Sequence, residues 1–316
     1  VCRLDFKFKY DGRSLTHSIP AHPLEVPWSS LHPEDFCQTG DFSPAQESLL
    51  WLAFNTYRGS WLHKLMELDE DWLYDGLRHK VQRVTISVTK RKLEHMLGDG
   101  RIFKPSCFTD LLRAVLSAVS AGKVVLVDVP SATEAQEKLL SVVLARRIFS
   151  YYESMKKSSP SEWSRLPTVL ILVEEAHRYL SKSSLEAEGL RRDNVFSAIS
   201  KRGRKYRVGL CCITQMPGEL DEPIVRQQLT KVILPLPTKP DYSKVIHYSP
   251  FLERSAQEIK SLDRGEALLV SPPSGIRFAV PLKIHLFEDL VQAELEEELL
   301  RGREAEGPLE RPLSSP

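Results

Sequence analysis

The acid pair Glu174 and Glu175 is the first feature of this chain that could do chemistry, because it stands directly after the apolar run 169–173. The run consists mostly of β-branched residues and leucine, which predicts a strand buried on both faces. Open α/β sheets bind their ligands beyond the carboxyl ends of such strands. There a first carboxylate can hold Mg²⁺, usually through water, and a second can polarise a water aimed at the γ-phosphate of a nucleotide. This is the profile of a Walker B element, although two acids also suit the start of a helix near Ala176.

The acid pair, which His177 closely follows, is joined downstream by a basic run and a polar strand end. Five cations lie among the seven residues 201–207, at the end of a predicted helix. Cations suit a helix C-terminus, so a solvated basic cap is the alternative to a functional role. Gln215 ends a predicted strand beside the one that carries the acids, where a glutamine can sense a γ-phosphate or orient the attacking water. An ordinary polar turn is the alternative there, and taken singly each of these two groups is better explained as structure.

The elements that must position these groups alternate between strand and helix from Gly122 onwards. A long amphipathic helix follows the first strand, and further helices are predicted at 185–202 and 219–229. Strands separated by helices of this length predict a mostly parallel sheet in an α/β layer architecture. Two later extended runs, 267–270 and 277–284, are expected at the edge of the domain. The predicted strands of the alternating part are 124–129, 169–173, 208–214 and 232–236.

The parts of the chain that flank this alternation have other patterns. Residues 4–19 form two extended runs around Asp-Gly, which predicts a β-hairpin. The sequence Ser-Pro-Ala-Gln supplies an N-cap, a first-turn proline and a capping-box glutamine for a helix over 44–57. Residues 58–120 are predicted to be mostly helical, most clearly over 108–119, while the stretch from 81 to 88 also fits a strand. Residues 288–306 hold eight acidic and two basic side chains, which predicts an acidic helix that frays into a disordered tail.

Composition restricts the class of protein. The 316 residues carry 43 basic and 42 acidic side chains, a net charge of +1, so the overall charge requires neither nucleic acid nor a membrane as partner. Five cysteines without a C-x-x-C pair argue against a disulfide framework and a zinc site, and they favour a reducing cytoplasm. No apolar run approaches the roughly 18 residues of a membrane-spanning helix. We therefore expect a cytoplasmic protein without a membrane partner.

Taken together, the order and spacing of the three groups resemble the HerA/FtsK superfamily of ring-forming P-loop ATPases, and most closely the HerA-type DNA-translocating ATPases. The combination GRKYxxGLxxITQxPxELDE is far more specific than the tetrapeptide EEAH alone. The resemblance covers residues 120–285 well and residues 1–57 loosely. It is carried by KVVLVDVPSATEAQEKLLSVVLARRIF (123–149), TVLILVEEAHRYL (168–180), SAISKRGRKYRVGLCCITQMPGELDEPIVRQQLTKVIL (197–234) and LDRGEALLV (262–270).

This resemblance implies a RecA-like P-loop ATPase fold that uses ATP and Mg²⁺. Glu174 would assist Mg²⁺ coordination, Glu175 would be the general base and Gln215 the polar sensor. Arg204, with Arg202 as second choice, would be an arginine finger offered to the nucleotide of the neighbouring subunit, an interaction worth about 10³ to 10⁵ in rate. A finger in trans requires a ring, so the resemblance implies a hexamer whose pore grips the phosphate backbone of double-stranded DNA. It also implies a nuclease partner, since HerA-type rings pair with nucleases.

Two features depart from the family pattern. Glu174 stands where the family usually has Asp, and the motif G-x-x-x-x-G-K-[ST] occurs nowhere in the sequence. We therefore expect the C-terminal part of a longer protein, with the P-loop and a small β-barrel domain upstream of this chain. The chain alone is expected to hydrolyse no ATP and to fold poorly. The expected organisation is ATPase core at 1–57 and 121–287, an inserted helical unit at 58–120 and an acidic tail at 288–316.

Two alternatives remain open. A DEAH-box helicase shares the sequence Glu-Ala-His, but its arginine motif lies in a second lobe, for which too little chain follows residue 236. A non-catalytic ring component or interaction protein derived from such an ATPase would lack the P-loop altogether and would keep the acids and Gln215 as relics. The reading frame upstream of Val1 would distinguish the ATPase from the relic by the presence of a P-loop motif.

Overall fold

The computed structural model describes residues 2–10, 13–129, 131–181, 186–187, 190–191, 194–287 and 289–290. They divide into two compact units. The first unit is formed by residues 21–228 together with the start of the chain, and the second by residues 3–20 and the described residues from 229 onwards. The predicted acidic tail lies outside the described residues apart from 289 and 290.

The order of elements combines short strands with helices of very different lengths. The helices are α1 (Pro33–Cys37), α2 (Pro44–Tyr57), α3 (Trp61–Glu67), α4 (Glu70–Gly76), α5 (Arg83–Leu97), α6 (Leu111–Ser120), α7 (Glu134–Ser158), α8 (Pro160–Trp163), α9 (His177–Leu180), α10 (Val195–Tyr206), α11 (Glu222–Gln227), α12 (Lys239–His247) and α13 (Ala256–Ser261). The strands are β1 (Cys2–Tyr10), β2 (Arg13–Ala21), β3 (Val26–Pro27), β4 (Phe103–Lys104), β5 (Val169–Val173), β6 (Glu186–Ala187), β7 (Leu190–Arg191), β8 (Val208–Cys212), β9 (Lys231–Ile233), β10 (Glu266–Ser271) and β11 (Ile276–Lys283).

Capping residues set the starts of two helices that the sequence predicts. The backbone N–H of Ser43 donates to the Gln46 side chain at 3.0 Å, and the Ser43 hydroxyl accepts from the Gln46 N–H, which closes the predicted capping box of α2. Thr133 and Gln136 form a second capping box at the start of α7. The predicted helix over 44–57 and the long amphipathic helix are both confirmed.

An ion pair joins α1 to α7 inside the first unit. The Asp35 carboxylate is fully buried and accepts two hydrogen bonds from the Arg146 guanidinium, at 2.5 and 2.9 Å. A bidentate pair of this kind is among the stronger polar contacts in proteins, and it fixes the relative orientation of the two helices.

The parallel pair β5–β8 carries the candidate chemistry. The two strands run in register from Val169 opposite Val208 to Val173 opposite Cys212, which confirms the predicted strand at 169–173. Helix α10 packs against both β8 and α7. Gly203 permits this close approach, because a Cβ at that position would lie 2.1 Å from the carbonyl oxygen of Val208.

The other face of the β5–β8 pair is uncovered in the described part of the chain. Leu170 and Leu172, which point to that face, are 58% and 60% exposed. The prediction of a strand buried on both faces is therefore wrong. A two-sided sheet needs a layer of helices on each side, and α10 and α7 supply one layer.

Two further predictions need correction. The predicted strand at 124–129 is wrong, because the described residues there pair with no other strand and Val124 is 99% exposed. A strand persists only where a neighbour takes up its backbone hydrogen bonds, and an apolar run does not supply that neighbour. The predicted helix at 185–202 begins only at Val195, because the Asn194 side chain accepts from the N–H of Ser197 at 2.9 Å and caps the helix there.

The predicted mostly parallel sheet is present only in part. Parallel pairing occurs in β5–β8 and in β3–β4, whereas β9 pairs antiparallel with β10. Ile233 lies opposite Leu268 in that pairing, and both are buried in the core of the second unit, which decides the pairing of β9. The α/β class is confirmed, and short parallel strands flanked by helices agree with a RecA-like core.

The second unit has an apolar core of its own around the antiparallel strands β9, β10 and β11. The predicted extended runs 267–270 and 277–284 are confirmed as β10 and β11, and β1 pairs with β2 as the predicted hairpin requires. The buried core residues are Ile233, Tyr242, Val245, Leu252, Ile259, Leu268 and Val270. Within the described ranges, every helix is too short or too polar to cross a bilayer.

Candidate active site

The acidic turn after β5 is tied through its backbone to the end of β8. The N–H of Ile213 donates to the carbonyl of Val173, and the N–H of Ala176 donates to the carbonyl of Ile213, both at 2.9 Å. Between these contacts Glu175 has a φ of +44°, in the left-handed region that residues with a Cβ rarely occupy. Strain of this kind costs about 1 to 3 kcal/mol and is concentrated at functional sites. The turn therefore holds Glu175 in one place.

Both carboxylate oxygens of Glu175 face a side chain. Gln215 Nε2 donates to Oε1 at 3.0 Å, and the Nδ1 atom of His177 lies 3.4 Å from Oε2. The Glu175 side chain is 37% exposed, so water can still reach the carboxylate. The structure thus brings together the predicted general base and the predicted polar sensor.

Glu174 is the second carboxylate of the turn. Its side chain is exposed, and within the described ranges no side chain pairs with its carboxylate. A carboxylate at the carboxyl end of a parallel strand is the type of ligand that Mg²⁺ takes, since this ion is held by one or two carboxylates together with water and phosphate oxygens. The residue present therefore fits the predicted magnesium site.

The basic run 201–207 lies at the opposite end of β8 from the acids. Helix α10 ends just before the first residue of β8, whereas Glu175 and Gln215 follow the carboxyl ends of the paired strands. The five residues of β8 separate the two ends by about 16 Å. The structure therefore does not bring Arg202 or Arg204 to the acids of the same chain.

Some cationic side chains of the basic run make contacts within the chain, whereas Arg204 is exposed. The Arg207 guanidinium lies 4.7 Å from the centroid of the Trp163 ring and also donates to two backbone carbonyls. The Arg202 guanidinium lies 5.8 Å from the centroid of the Phe149 ring. Arg204 is exposed, and its side chain makes no hydrogen bond, ion pair or ring contact with the part of the chain that the structure describes. Arg204 is thus better placed than Arg202 to meet a group on another molecule.

Comparison with known proteins connects this arrangement to one family. No family model matches the chain. The DNA double-strand break repair helicase HerA of Sulfurisphaera tokodaii is 31% identical over 274 residues, which cover 82% of this chain and 54% of that protein. HerA of Sulfolobus acidocaldarius is 32% identical over 198 residues, which cover 61% of this chain and 38% of that protein. The chain belongs to the HerA/FtsK superfamily.

The chain spans about half of one of these HerA relatives and less of the other. Among solved structures, the genome packaging NTPase B204 from Sulfolobus turreted icosahedral virus 2 in complex with sulfate is 15% identical, with a TM-score of 0.38 over 60% of this chain and 78% of that chain. A TM-score that low adds no argument. The family assignment rests on the HerA sequences, and it confirms the resemblance that the motifs indicate.

Sequence patterns alone assign no role to two side chains of the candidate site. Thr214 Oγ1 lies 3.1 Å from Nδ1 of His177 and accepts the backbone N–H of Met216 at 3.0 Å. In the sequence, His177 stands beside the acids, and Thr214 is the last residue of a predicted strand. Their signal in the sequence is that both are polar and both lie just beyond the ends of neighbouring strands, β5 and β8.

Cys212, the last residue of β8, lies next to the candidate site. Burial raises the pKa of its thiol to about 12. A thiol with that pKa stays protonated at neutral pH, and the thiolate is the reactive form. Cys212 therefore acts as a small, partly buried side chain and not as a nucleophile.

Proposed function

We propose that this chain supplies the Walker B and sensor side of the nucleotide site in a HerA-like ATPase that couples ATP hydrolysis to movement along double-stranded DNA. The observation that carries the proposal is the Glu175 carboxylate, which sits on a strained turn with Gln215 on one oxygen and His177 beside the other. Catalysis of phosphoryl transfer depends mainly on positioning and on charge stabilisation. A fixed acid beside a fixed amide suits that task.

In this proposal Glu175 is the general base and Gln215 orients its partners. The Glu175 carboxylate takes the proton of the attacking water, which its partial exposure allows that water to reach. The Gln215 amide holds the carboxylate on one side and senses the γ-phosphate region on the other. Glu174 would hold Mg²⁺, which neutralises charge on the phosphate oxygens when it is bound.

Arg204 acts on a neighbouring subunit in this proposal. The basic run follows the helix that ends before β8, whereas the acids lie beyond the carboxyl ends of the strands, and within the described residues no arginine of the run pairs with either acid. The Arg204 guanidinium is exposed and pairs with no side chain in the described part of the chain, so it is available to stabilise the transition-state charge of another subunit's nucleotide. A closed ring of identical subunits satisfies this requirement at every interface, and we propose the hexamer of the HerA family.

The phosphate-binding part of the site lies, in this proposal, in sequence beyond these 316 residues. The motif G-x-x-x-x-G-K-[ST] has no match here, and the HerA of Sulfurisphaera tokodaii is matched over only 54% of its length. The uncovered leucines of β5 mark a face on which a further layer would pack. We therefore propose that the chain alone does not turn over ATP. The proposed parts are the core at 1–57 and 121–287, the inserted helical unit at 58–120 and the acidic tail at 288–316.

The names of the HerA relatives support one part of the proposal, the DNA substrate. Those proteins are named as DNA double-strand break repair helicases, which supports double-stranded DNA as the substrate. We propose that the ring contacts the phosphate backbone without reading sequence, that it works in the cytoplasm, and that it acts with a nuclease.

The test uses the protein expressed from its complete reading frame, with ATP hydrolysis measured with and without Mg²⁺ and double-stranded DNA. Glu175→Gln is expected to lower kcat by about 100-fold or more, because a general base contributes about 10² to 10⁴ in rate. Glu162→Gln, an exposed glutamate on α8, is the matched control and is expected to keep full turnover. A kcat of Glu175→Gln equal to that of the unaltered protein would overturn the proposal. Absence of turnover in the unaltered complete protein would instead favour a non-catalytic ring component.

A further inference from the structure

His177 lies between the acid of the candidate site and the loop that carries its amide. Its side chain is 17% exposed. The Nδ1 atom lies 3.4 Å from Glu175 Oε2 and 3.1 Å from Thr214 Oγ1. One ring nitrogen therefore faces an oxygen from each of the two turns that follow β5 and β8.

The chemistry of the two oxygens places a proton on this nitrogen. A carboxylate oxygen can only accept a hydrogen bond, and a hydroxyl oxygen can accept one as well. An Nδ1–H group between Glu175 and Thr214 can donate towards both oxygens, whereas a bare Nδ1 would set its lone pair against the carboxylate. We therefore assign the tautomer of His177 that carries its proton on Nδ1.

Thr214 connects His177 to the turn that carries Gln215. Its hydroxyl accepts the backbone N–H of Met216 at 3.0 Å, so it braces the turn in which Gln215 is the middle residue. Gln215 in turn donates to Oε1 of Glu175 at 3.0 Å. The contacts thus form a closed circuit from the acid, through His177 and Thr214, to the amide and back to the acid.

We propose that His177 and Thr214 are positioning residues for the hydrolysis reaction. They couple the sensor turn to the orientation of the Glu175 carboxylate, so that a movement of either turn shifts the other. This inference rests on the proposed function, because it names the support of the same acid. Small errors in position are costly in such sites, where a misplacement of about 1 Å can lower the rate about 100-fold.

The first test is kinetic and uses the protein from its complete reading frame. His177→Ala is expected to lower kcat for ATP hydrolysis by about tenfold or more while KM for ATP changes less than about twofold, because the acid loses its support and nucleotide binding does not. His177→Asn places its amide near the position of Nδ1 and is expected to recover most of kcat. His177→Gln, whose amide reaches towards the position of Nε2, is expected not to. Equal kcat values for the Asn and Gln variants, or an unchanged kcat in His177→Ala, would overturn the proposal.

Thr214 supplies an independent pair of variants. Thr214→Ser keeps the hydroxyl and is expected to keep kcat, whereas the isosteric Thr214→Val removes it and is expected to lower kcat as His177→Ala does. The double variant His177→Ala with Thr214→Val is expected to fall no further than the single variants, because both break the same circuit. If the decrease in kcat of the double variant is the product of the two single decreases, the two residues act separately, and the proposed circuit is overturned.

A second readout separates this inference from the proposed function. If the unaltered complete protein hydrolyses no ATP, the proposed function fails, and the circuit is then judged from the urea unfolding midpoints of the same His177 and Thr214 variants. A double variant whose midpoint shift is clearly smaller than the sum of the single shifts supports the circuit. Additive shifts overturn it.

Discussion

Replacement of Glu175 by glycine is expected to stabilise the acidic turn relative to replacement by alanine. Both substitutions remove the carboxylate and its contacts with Gln215 and His177, so the difference between them reports the backbone alone. At a φ of +44° alanine retains an unfavourable left-handed conformation, which costs about 1 to 2 kcal/mol and which glycine avoids. Glycine also lowers the stability by about 0.5 to 1 kcal/mol relative to alanine, because a glycine makes the unfolded chain more flexible. Glu175→Gly should therefore be more stable than Glu175→Ala, by about 0.75 kcal/mol at the middle of these two ranges and by up to about 1.5 kcal/mol.

The assay is urea unfolding of the two variants, followed by tryptophan fluorescence and far-ultraviolet circular dichroism. Glu174 supplies the matched control, because its φ is not among the positive values of the chain. Glu174→Gly is expected to be less stable than Glu174→Ala by about 0.5 to 1 kcal/mol, the ordinary cost of glycine. The sign of the glycine-minus-alanine difference should thus reverse between neighbouring residues. The same sign at both positions would refute the strained turn.

Three further substitutions test the packing around the site and in the second unit. Gly203→Ala is expected to lower the free energy of unfolding, measured in urea, by about 1 to 3 kcal/mol, because the alanine Cβ would overlap the carbonyl oxygen of Val208. An unchanged urea midpoint would contradict the close packing of the helix against β8. Asp35→Asn is expected to lower the free energy of unfolding by about 3 kcal/mol in the same assay, because the Arg146 guanidinium, which is 14% exposed, then lacks its buried counter-charge. A decrease below about 1 kcal/mol would contradict this expectation. Burial lowers the pKa of Lys231 to about 8, so between about pH 8 and pH 10.4 the unfolded chain binds more protons and stability rises with pH. In Lys231→Met, the free energy of unfolding should rise less over this pH range than in the unaltered protein. Identical pH profiles of the two proteins would contradict this expectation.

The candidate site was predictable where it depends on the order of strands. An apolar run that ends in Glu174 and Glu175 and a neighbouring run that ends near Gln215 place their polar ends at the same edge of a parallel pair, and the structure has this arrangement. The left-handed backbone of Glu175 and the contact between His177 and Thr214 depend on the exact path of two turns. Turn geometry of this kind leaves little trace in residue type, because the residue in the strained position is a glutamate and not the glycine that would signal it.

The fold was predictable where local signals decide it. The capping box at Ser43 and the hairpin at Asp-Gly are local signals, and the predicted elements are present. The run 124–129 has the composition of a buried strand, but no strand in the described ranges pairs with it, so its pairing depends on distant parts of the fold and not on its own residues. Strand β9 shows the same limit, because the burial of Ile233 against Leu268 selects an antiparallel partner.

Mixing two inactive variants of the complete protein tests the shared site most directly. Glu175→Gln removes the proposed base and Arg204→Ala removes the proposed finger, so each variant alone is expected to be nearly inactive in ATP hydrolysis. In an equal mixture of subunits, about one interface in four joins an intact Glu175 to an intact Arg204 of its neighbour, and about a quarter of the full rate should return. A mixture as inactive as the separate variants, or full turnover in Arg204→Ala alone, would contradict a site shared between subunits.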